Sequence, residues 1–150
     1  MIPHLHQDFK EFIELLNARG VKYLLVGGYA VAFHGVPRYT GDIDFVVEPS
    51  PENSIKLIEV LRDFGFDSLR LNPSDFQRED QVLQLGVEPV RIDVLTSIAG
   101  VKFDEAYRER EEAEIRGLRV QIIGREHLLR NKRAAARPQD LADCAKIEKS

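Results

Sequence analysis

One cysteine, Cys144, is all that this chain of 150 residues contains. An internal disulfide is therefore excluded, no Cys-x-x-Cys zinc signature is present, and the composition fits a reducing compartment. Cys144 itself reads as a small residue in a helix. Long apolar runs are missing too: the longest span only a few residues, against the ~20 that a membrane helix needs. The opening MIPHLHQDFKEF lacks the basic and apolar regions of a secretion signal, so a cytoplasmic location is expected and no membrane association. Repeats, low-complexity tracts and linkers are absent. Residues 1–150 thus read as a single domain, with a core over about 1–123 and a helical segment over about 125–149. An excess of positive charge is also lacking. The net charge of −4 argues against a nonspecific nucleic-acid binder, and there is no DNA-binding motif, although a local basic patch stays open. With 43% hydrophobic and 31% charged residues the chain has the balance of a globular protein, not a disordered one.

What the chain does carry is concentrated between residues 23 and 48, YLLVGGYAVAFHGVPRYTGDIDFVVE. One apolar run ends in Gly27-Gly28 and a second holds Asp42-Ile43-Asp44. Alternate side chains of a strand share a face, so Asp42 and Asp44 point together while Ile43 and Phe45 point into a core. Two such carboxylates repel, and one pKa rises unless a cation lies between them. The simplest cation is a divalent metal: carboxylate oxygens suit a hard ion such as Mg2+, held by one or two carboxylates with waters and substrate phosphates. Glycines at a strand end let backbone N–H groups approach a phosphate, and a helix starting there adds partial positive charge. Neither GxxxxGK[ST] nor GxGxxG is present, which excludes a P-loop and a dinucleotide fingerprint.

Periodicity orders the rest. Leu5, Phe9, Phe12, Ile13 and Leu16 predict an amphipathic helix over 3–19, stopped at Gly20; His4 and His6, two residues apart, do not share a helix face and read as exposed. Residues 21–26 read as a buried strand and 29–34 as a short helix ending at Gly35. The connection 37–41 delivers Arg38 and Thr40 to the carboxylate strand, where Arg38 reads either as a phosphate contact or as a neutraliser of the aspartates. Ile55, Leu57, Ile58, Val60, Leu61 and Phe64 predict a crossover helix over 51–64. A further strand is expected at 66–71, an irregular stretch at 72–80, and a hairpin from 82–85 and 90–95. Its second arm carries Asp93 mid-strand among apolar residues, a costly placement that makes it either a surface residue or the third member of a metal cluster. The charged segment 103–114 reads as a solvated helix or helical loop, and 115–123 as a hairpin about Gly117. From Arg125 the chain reads as two helices divided at Pro138. Arg130, Arg133 and Arg137, with Lys132 and Arg125 nearby, form a basic face suited either to a triphosphate or RNA backbone or to solvent. The class expected is α/β (α+β): a mixed twisted sheet flanked by helices, with C-terminal helices.

The order of apolar strand, Gly27-Gly28, a spacer of about a dozen residues, Asp42-Ile43-Asp44-Phe45 and a later strand acid, Asp93, resembles the nucleotidyltransferase superfamily, the fold shared with DNA polymerase beta. The turn Arg38-Tyr39-Thr40-Gly41-Asp42-Ile43-Asp44 is similar to that of small bacterial abortive-infection and toxin–antitoxin nucleotidyltransferases, as is the C-terminal pattern Lys132, Arg137, Asp140, Asp143. The chain departs from the kanamycin-type and antitoxin-type members in carrying Gly28 and Gly41 where those usually have Ser. Its helical end is shorter than in the larger toxins, so acceptor binding is either missing or supplied by a partner. The resemblance implies transfer of a nucleoside monophosphate from an NTP such as ATP to a hydroxyl of tRNA or other RNA, protein or a small molecule, with release of pyrophosphate. It further implies two Mg2+ ions, or Mn2+ in their place, on the catalytic and metal-binding Asp42, Asp44 and Asp93, with Asp93 sharing the ion that activates the acceptor. Gly27, Gly28, Arg38, Thr40 and Lys132 would contact the nucleotide, and a toxin or antitoxin partner is implied. Two other readings compete: a noncatalytic nucleotide-binding or antitoxin-like protein acting through a partner, and a plain α/β domain whose acids lie on its surface.

Overall fold

The computed structural model describes residues 5–37, 40–66, 70–87 and 89–150. Helix α1, Gln7–Ala18, opens at His6, whose Nδ1 accepts the Asp8 N–H at 3.0 Å. His6 is exposed as expected, but it caps the helix, which begins later than the apolar spacing alone suggests. His4 lies outside the described residues. Phe9, Phe12, Ile13 and Leu16 form the buried stripe of α1. Strand β1, Tyr23–Val26, is buried throughout and runs directly into helix α2, Gly27–Phe33, which starts at the first glycine and not after the second. Strand β2, Asp42–Val47, returns antiparallel to β1. Ser50 then caps helix α3, Pro51–Asp63, accepting the Asn53 N–H with Pro51 in the first turn.

Strands β3, Val82–Leu85, and β4, Arg91–Leu95, form the expected antiparallel pair. Helix α4, Phe103–Arg108, leads to a second hairpin, β5, Glu111–Ile115, and β6, Leu118–Ile122. Helices α5, Arg125–Ala135, and α6, Pro138–Lys149, close the chain and pack on each other. The strands make one mixed sheet in the order β3-β4-β2-β1-β6-β5, with β2 parallel to β4 and β1 parallel to β6. On one face α1 covers Phe45, whose ring centroid lies 5.6 Å from Phe12 and 5.7 Å from Tyr23, while Phe12 and Phe64, at the end of α3, meet edge-on at 5.2 Å. By the alternation of β2, the residues flanking Phe45 face the other way, and that second face is the one toward α5 and α6.

Two segments differ from expectation. The charged stretch 103–114 is helical only through Arg108; Glu111, Glu112 and Glu114 belong to an edge strand. Arg116 and Gly117 both take positive φ, 52° and 82°, the geometry of a two-residue hairpin turn, and this turn draws the glutamates into pairing with β6. Their charges keep an exposed edge from pairing further. At 66–71 the described residues Phe66, Arg70 and Leu71 lie in no strand; residues 67–69 are outside the description. Phe66 instead stacks on Phe64 at 5.8 Å, and a 3-10 turn, Pro73–Phe76, follows inside the stretch expected to be irregular, closed by the reciprocal pair Asn72 and Asp75.

Candidate active site

Parallel pairing of β2 with β4 sets Asp42 beside Arg91 and Asp44 beside Asp93. All four side chains share one sheet face, forming a square of three acids and one cation. The Arg91 guanidinium bridges two corners: Nη2 donates to Asp42 Oδ2 at 2.8 Å, and Nε donates to Asp93 Oδ1 at 2.9 Å. Nη2 also reaches Asp93 Oδ2 at 3.2 Å. The remaining repulsion falls on Asp44 and favours its protonated form. Burial, a hydrogen bond with Asp93 and the charges of Asp93 and Asp42 push its carboxyl up to about 7, with Arg91 pulling the other way.

The square lines a cleft of about 470 Å3, within the range of small-molecule sites. Val26, Gly27, Leu95 and Ser97 form its floor and rim, and Lys132, Arg137 and Asp140 face it from the C-terminal helices. Gly27 has φ of +66°, and a Cβ there would overlap the Asp44 carboxylate, so the position accepts no side chain without displacing the acid. Gly28 is buried and packs on Thr40, whose atoms lie 3.0 Å from where its Cβ would be. The Thr40 hydroxyl donates to the Asp42 carbonyl at 3.0 Å, fixing the start of β2.

A second ionic cluster forms the opposite wall. Lys132 Nζ lies 3.2 Å from Asp140 Oδ1 and 3.3 Å from Asp143 Oδ2, and all three are buried. Arg137 Nε donates to Asp140 Oδ2 at 2.7 Å. Burial alone would raise the Asp140 pKa, but the hydrogen bonds from Arg137 and Lys132 outweigh it and hold the carboxyl below its ordinary value. This cluster ties α5 to α6 across the break at Pro138.

Of the residues expected at the site, Asp42, Asp44, Asp93, Gly27 and Lys132 line one cleft. Gly28 and Thr40 support it from behind, and Arg38 lies outside the described residues. The expected basic face is divided: Lys132 on α5 turns to the buried aspartates, and Arg137, which lies beyond α5 as the N-cap of α6, reaches Asp140 from the surface. Arg133 pairs with Glu148 at 2.9 Å and Arg130 lies 3.8 Å from Glu105, both near the surface. Arg91 was not singled out by the sequence reasoning, although its spacing of two from Asp93 already puts it on the acid face.

The donor set is chemically suited to a hard divalent ion, since every ligand atom on the square is a carboxylate oxygen. Among the described residues no three acidic, histidine or cysteine side chains converge as a ready set of metal ligands. A guanidinium already stands between Asp42 and Asp93, and its place marks where a cation is favoured.

The molecule thus pairs a six-stranded mixed sheet with acids on adjacent parallel strands beside a glycine turn. Residues 5–150 match the family described as "Nucleotidyl transferase of unknown function (DUF2204)", and the chain belongs to it, an enzyme family of nucleotidyl transferases. Solved structures with the same fold include the lincosamide antibiotic adenylyltransferase LnuA in its lincomycin-bound form, at 16% identity and a TM-score of 0.57 over 96% of each chain. A Thermotoga maritima protein described as a nucleotidyltransferase matches at 14% identity and a TM-score of 0.57, over 93% of this chain and 88% of its own. An antigenic nucleotidyltransferase-like protein from Paracoccidioides brasiliensis matches at 17% identity and a TM-score of 0.54, over 92% and 72%. No curated protein sequence matches the chain. Among the described residues, no helix is long and apolar enough to cross a membrane.

Proposed function

We propose that the chain transfers a nucleoside monophosphate from an NTP to a hydroxyl acceptor, using divalent metal held by Asp42, Asp44 and Asp93. The observation that carries this reading is the square on β2 and β4: three carboxylates against one guanidinium, in a cleft with room for a ligand and a glycine backbone at its edge. Bound Mg2+ or Mn2+ would supply charge stabilisation to the attacking and leaving oxygens of an in-line displacement. The protein's own part is positioning and electrostatics. The Gly27 backbone borders the space a triphosphate would enter, with Gly28 and Thr40 fixing its position from behind. Lys132 and Arg137 line the wall across the cleft, and Arg38 is assigned to the triphosphate from the sequence resemblance alone.

The acceptor is a hydroxyl of RNA, protein or a small molecule. The sharing of a fold with LnuA, an adenylyltransferase for a lincosamide, keeps small molecules, and ATP as donor, among the first to test. A toxin or antitoxin partner rests on the resemblance of the Arg38–Asp44 turn and the C-terminal pattern alone, and a cytoplasmic setting on a composition with one cysteine. The test is calorimetric titration of each NTP, with and without Mg2+, into wild type and Asp42→Ala/Asp44→Ala. Metal-dependent binding that is lost in the double variant is the expected result. Failure of every NTP to bind wild type would overturn the catalytic reading in favour of a noncatalytic protein that works through a partner.

A further inference from the structure

We infer that Arg91 is a built-in competitor for the divalent metal, a guanidinium that holds Asp42 and Asp93 until a nucleotide arrives to receive it. This inference rests on the metal-dependent reading above and goes beyond it, because it makes metal binding conditional on nucleotide.

The argument begins with register. Arg91 stands directly across from Asp42 and on the same face as Asp93, two residues along its own strand. Three contacts, at 2.8, 2.9 and 3.2 Å, engage oxygens of both carboxylates through Nη2 and Nε. Such forked, charge-assisted bonds are the strong kind, and they fill donor positions that a metal ion would need. A divalent ion that draws on the same oxygens must displace these bonds, and an ion on the other oxygens would still stand beside the guanidinium charge. The Arg91 side chain is one-quarter exposed, so it borders open space in the cleft and is not locked in a core.

A metal ion alone offers the displaced guanidinium nothing. Its charge would stand beside the ion and repel it. A metal bound with a triphosphate does offer something, since phosphate oxygens in the same cleft are as good a partner for the fork as the carboxylates were. Nucleotide then lowers the cost of admitting metal, and by linkage metal raises affinity for nucleotide to the same degree. The site is kept paired when empty and becomes available to metal with substrate.

The test uses Mn2+ alone as the probe, titrated by calorimetry and by electron paramagnetic resonance into wild type and Arg91→Gln, with and without NTP. Arg91→Gln is expected to bind Mn2+ without nucleotide at least about tenfold more tightly than wild type, within the usual range of coupling between sites. Mn2+ should also raise the Tm of Arg91→Gln by more than it raises that of wild type, a readout that survives any loss of baseline stability in the variant. Should Arg91→Gln not fold, Arg91→Lys carries the same test, because one ammonium cannot fork across two carboxylates; a tightening of at least about threefold is then expected. Unchanged or weaker Mn2+ binding in the variant, while wild type binds Mn2+ with NTP, would overturn the inference and make Arg91 a fixed clamp of the acid strands. If neither protein binds Mn2+ even with NTP, the metal-dependent reading itself has failed, and this inference falls with it.

Discussion

Two ionic clusters face each other across the cleft, and they are built to opposite rules. On the sheet side Asp42, Asp44 and Asp93 share one guanidinium, Arg91, and acid is in excess. On the helix side Lys132 and Arg137 meet Asp140 and Asp143, and the charges balance. The consequences show in the protons. Asp44 is forced up to about 7 by burial and its acidic neighbours, whereas Asp140 is held low because its partners outweigh burial. On the helix side buried Lys132, Asp140 and Asp143 are brought to balance by Arg137 reaching in from the surface, whereas the sheet side is left with an acid in excess and calls for a cation from outside. The difference teaches where to look for chemistry in this molecule: charge in deficit, not charge as such.

Neutralising one charge should therefore have opposite signs on the two sides. Lys132→Met removes the ammonium between two aspartates that are each only 1% exposed. The expected cost is about 3–5 kcal/mol, a fall in Tm of roughly 10 °C, read by thermal melting. An unchanged Tm, with NTP binding lost, would break the comparison and make Lys132 a cleft ligand without a structural role.

On the sheet side Asp44→Asn should stabilise the metal-free protein at pH 8, raising Tm by roughly 3 °C or more. The sign follows from the shifted proton. The folded state holds the Asp44 proton more tightly than the unfolded chain does, since its pKa lies near 7 and not at the ordinary 3.8. That contribution to stability is complete below about pH 4 and is lost as pH rises through about 7. Wild type should lose stability between those values in the absence of metal, and Asp44→Asn should flatten that slope. A steeper loss in the variant, or a lower Tm at pH 8, would mean that Asp44 is a structural acid.

The sheet side was far more legible in the sequence than the helix side. The alternation in Asp42-Ile43-Asp44-Phe45 fixes which residues share a face, whatever the strand later pairs with. Asp93 stood out because an acid mid-strand among Ile92 and Val94 needs a reason. Arg91 obeyed the same period yet passed unremarked, because an arginine at a strand start is ordinary; only the parallel register with Asp42 gives it meaning, and register is a property of two strands. On the helix side, periodicity placed Arg130, Arg133 and Arg137 together but could not separate them. Their division depends on the turn between α5 and α6, where Ala136 takes φ of +55° and the chain folds back to bring Asp140 onto Lys132. The Glu-rich segment failed for a related reason: charge pattern alone does not distinguish an exposed helix from an edge strand, and the Arg116-Gly117 turn decides it.

The exposed arginines sharpen the comparison from its weak end. Arg133 and Glu148 meet at 2.9 Å, as close as Arg91 to Asp93, yet both side chains are about half exposed, at 53% and 50%. Water screens such a pair and the two long side chains lose rotamer freedom to form it, so distance says little about its worth. Arg133→Ala should change stability by less than about 0.5 kcal/mol. The same variant should leave the NTP titration where it was, because Arg133 is not among the residues lining the cleft. A tenfold loss of NTP affinity would instead extend the phosphate-facing surface along the outer face of α5, and the deficit of positive charge on the sheet side would then be met in part by side chains that the metal-free protein keeps paired at its surface.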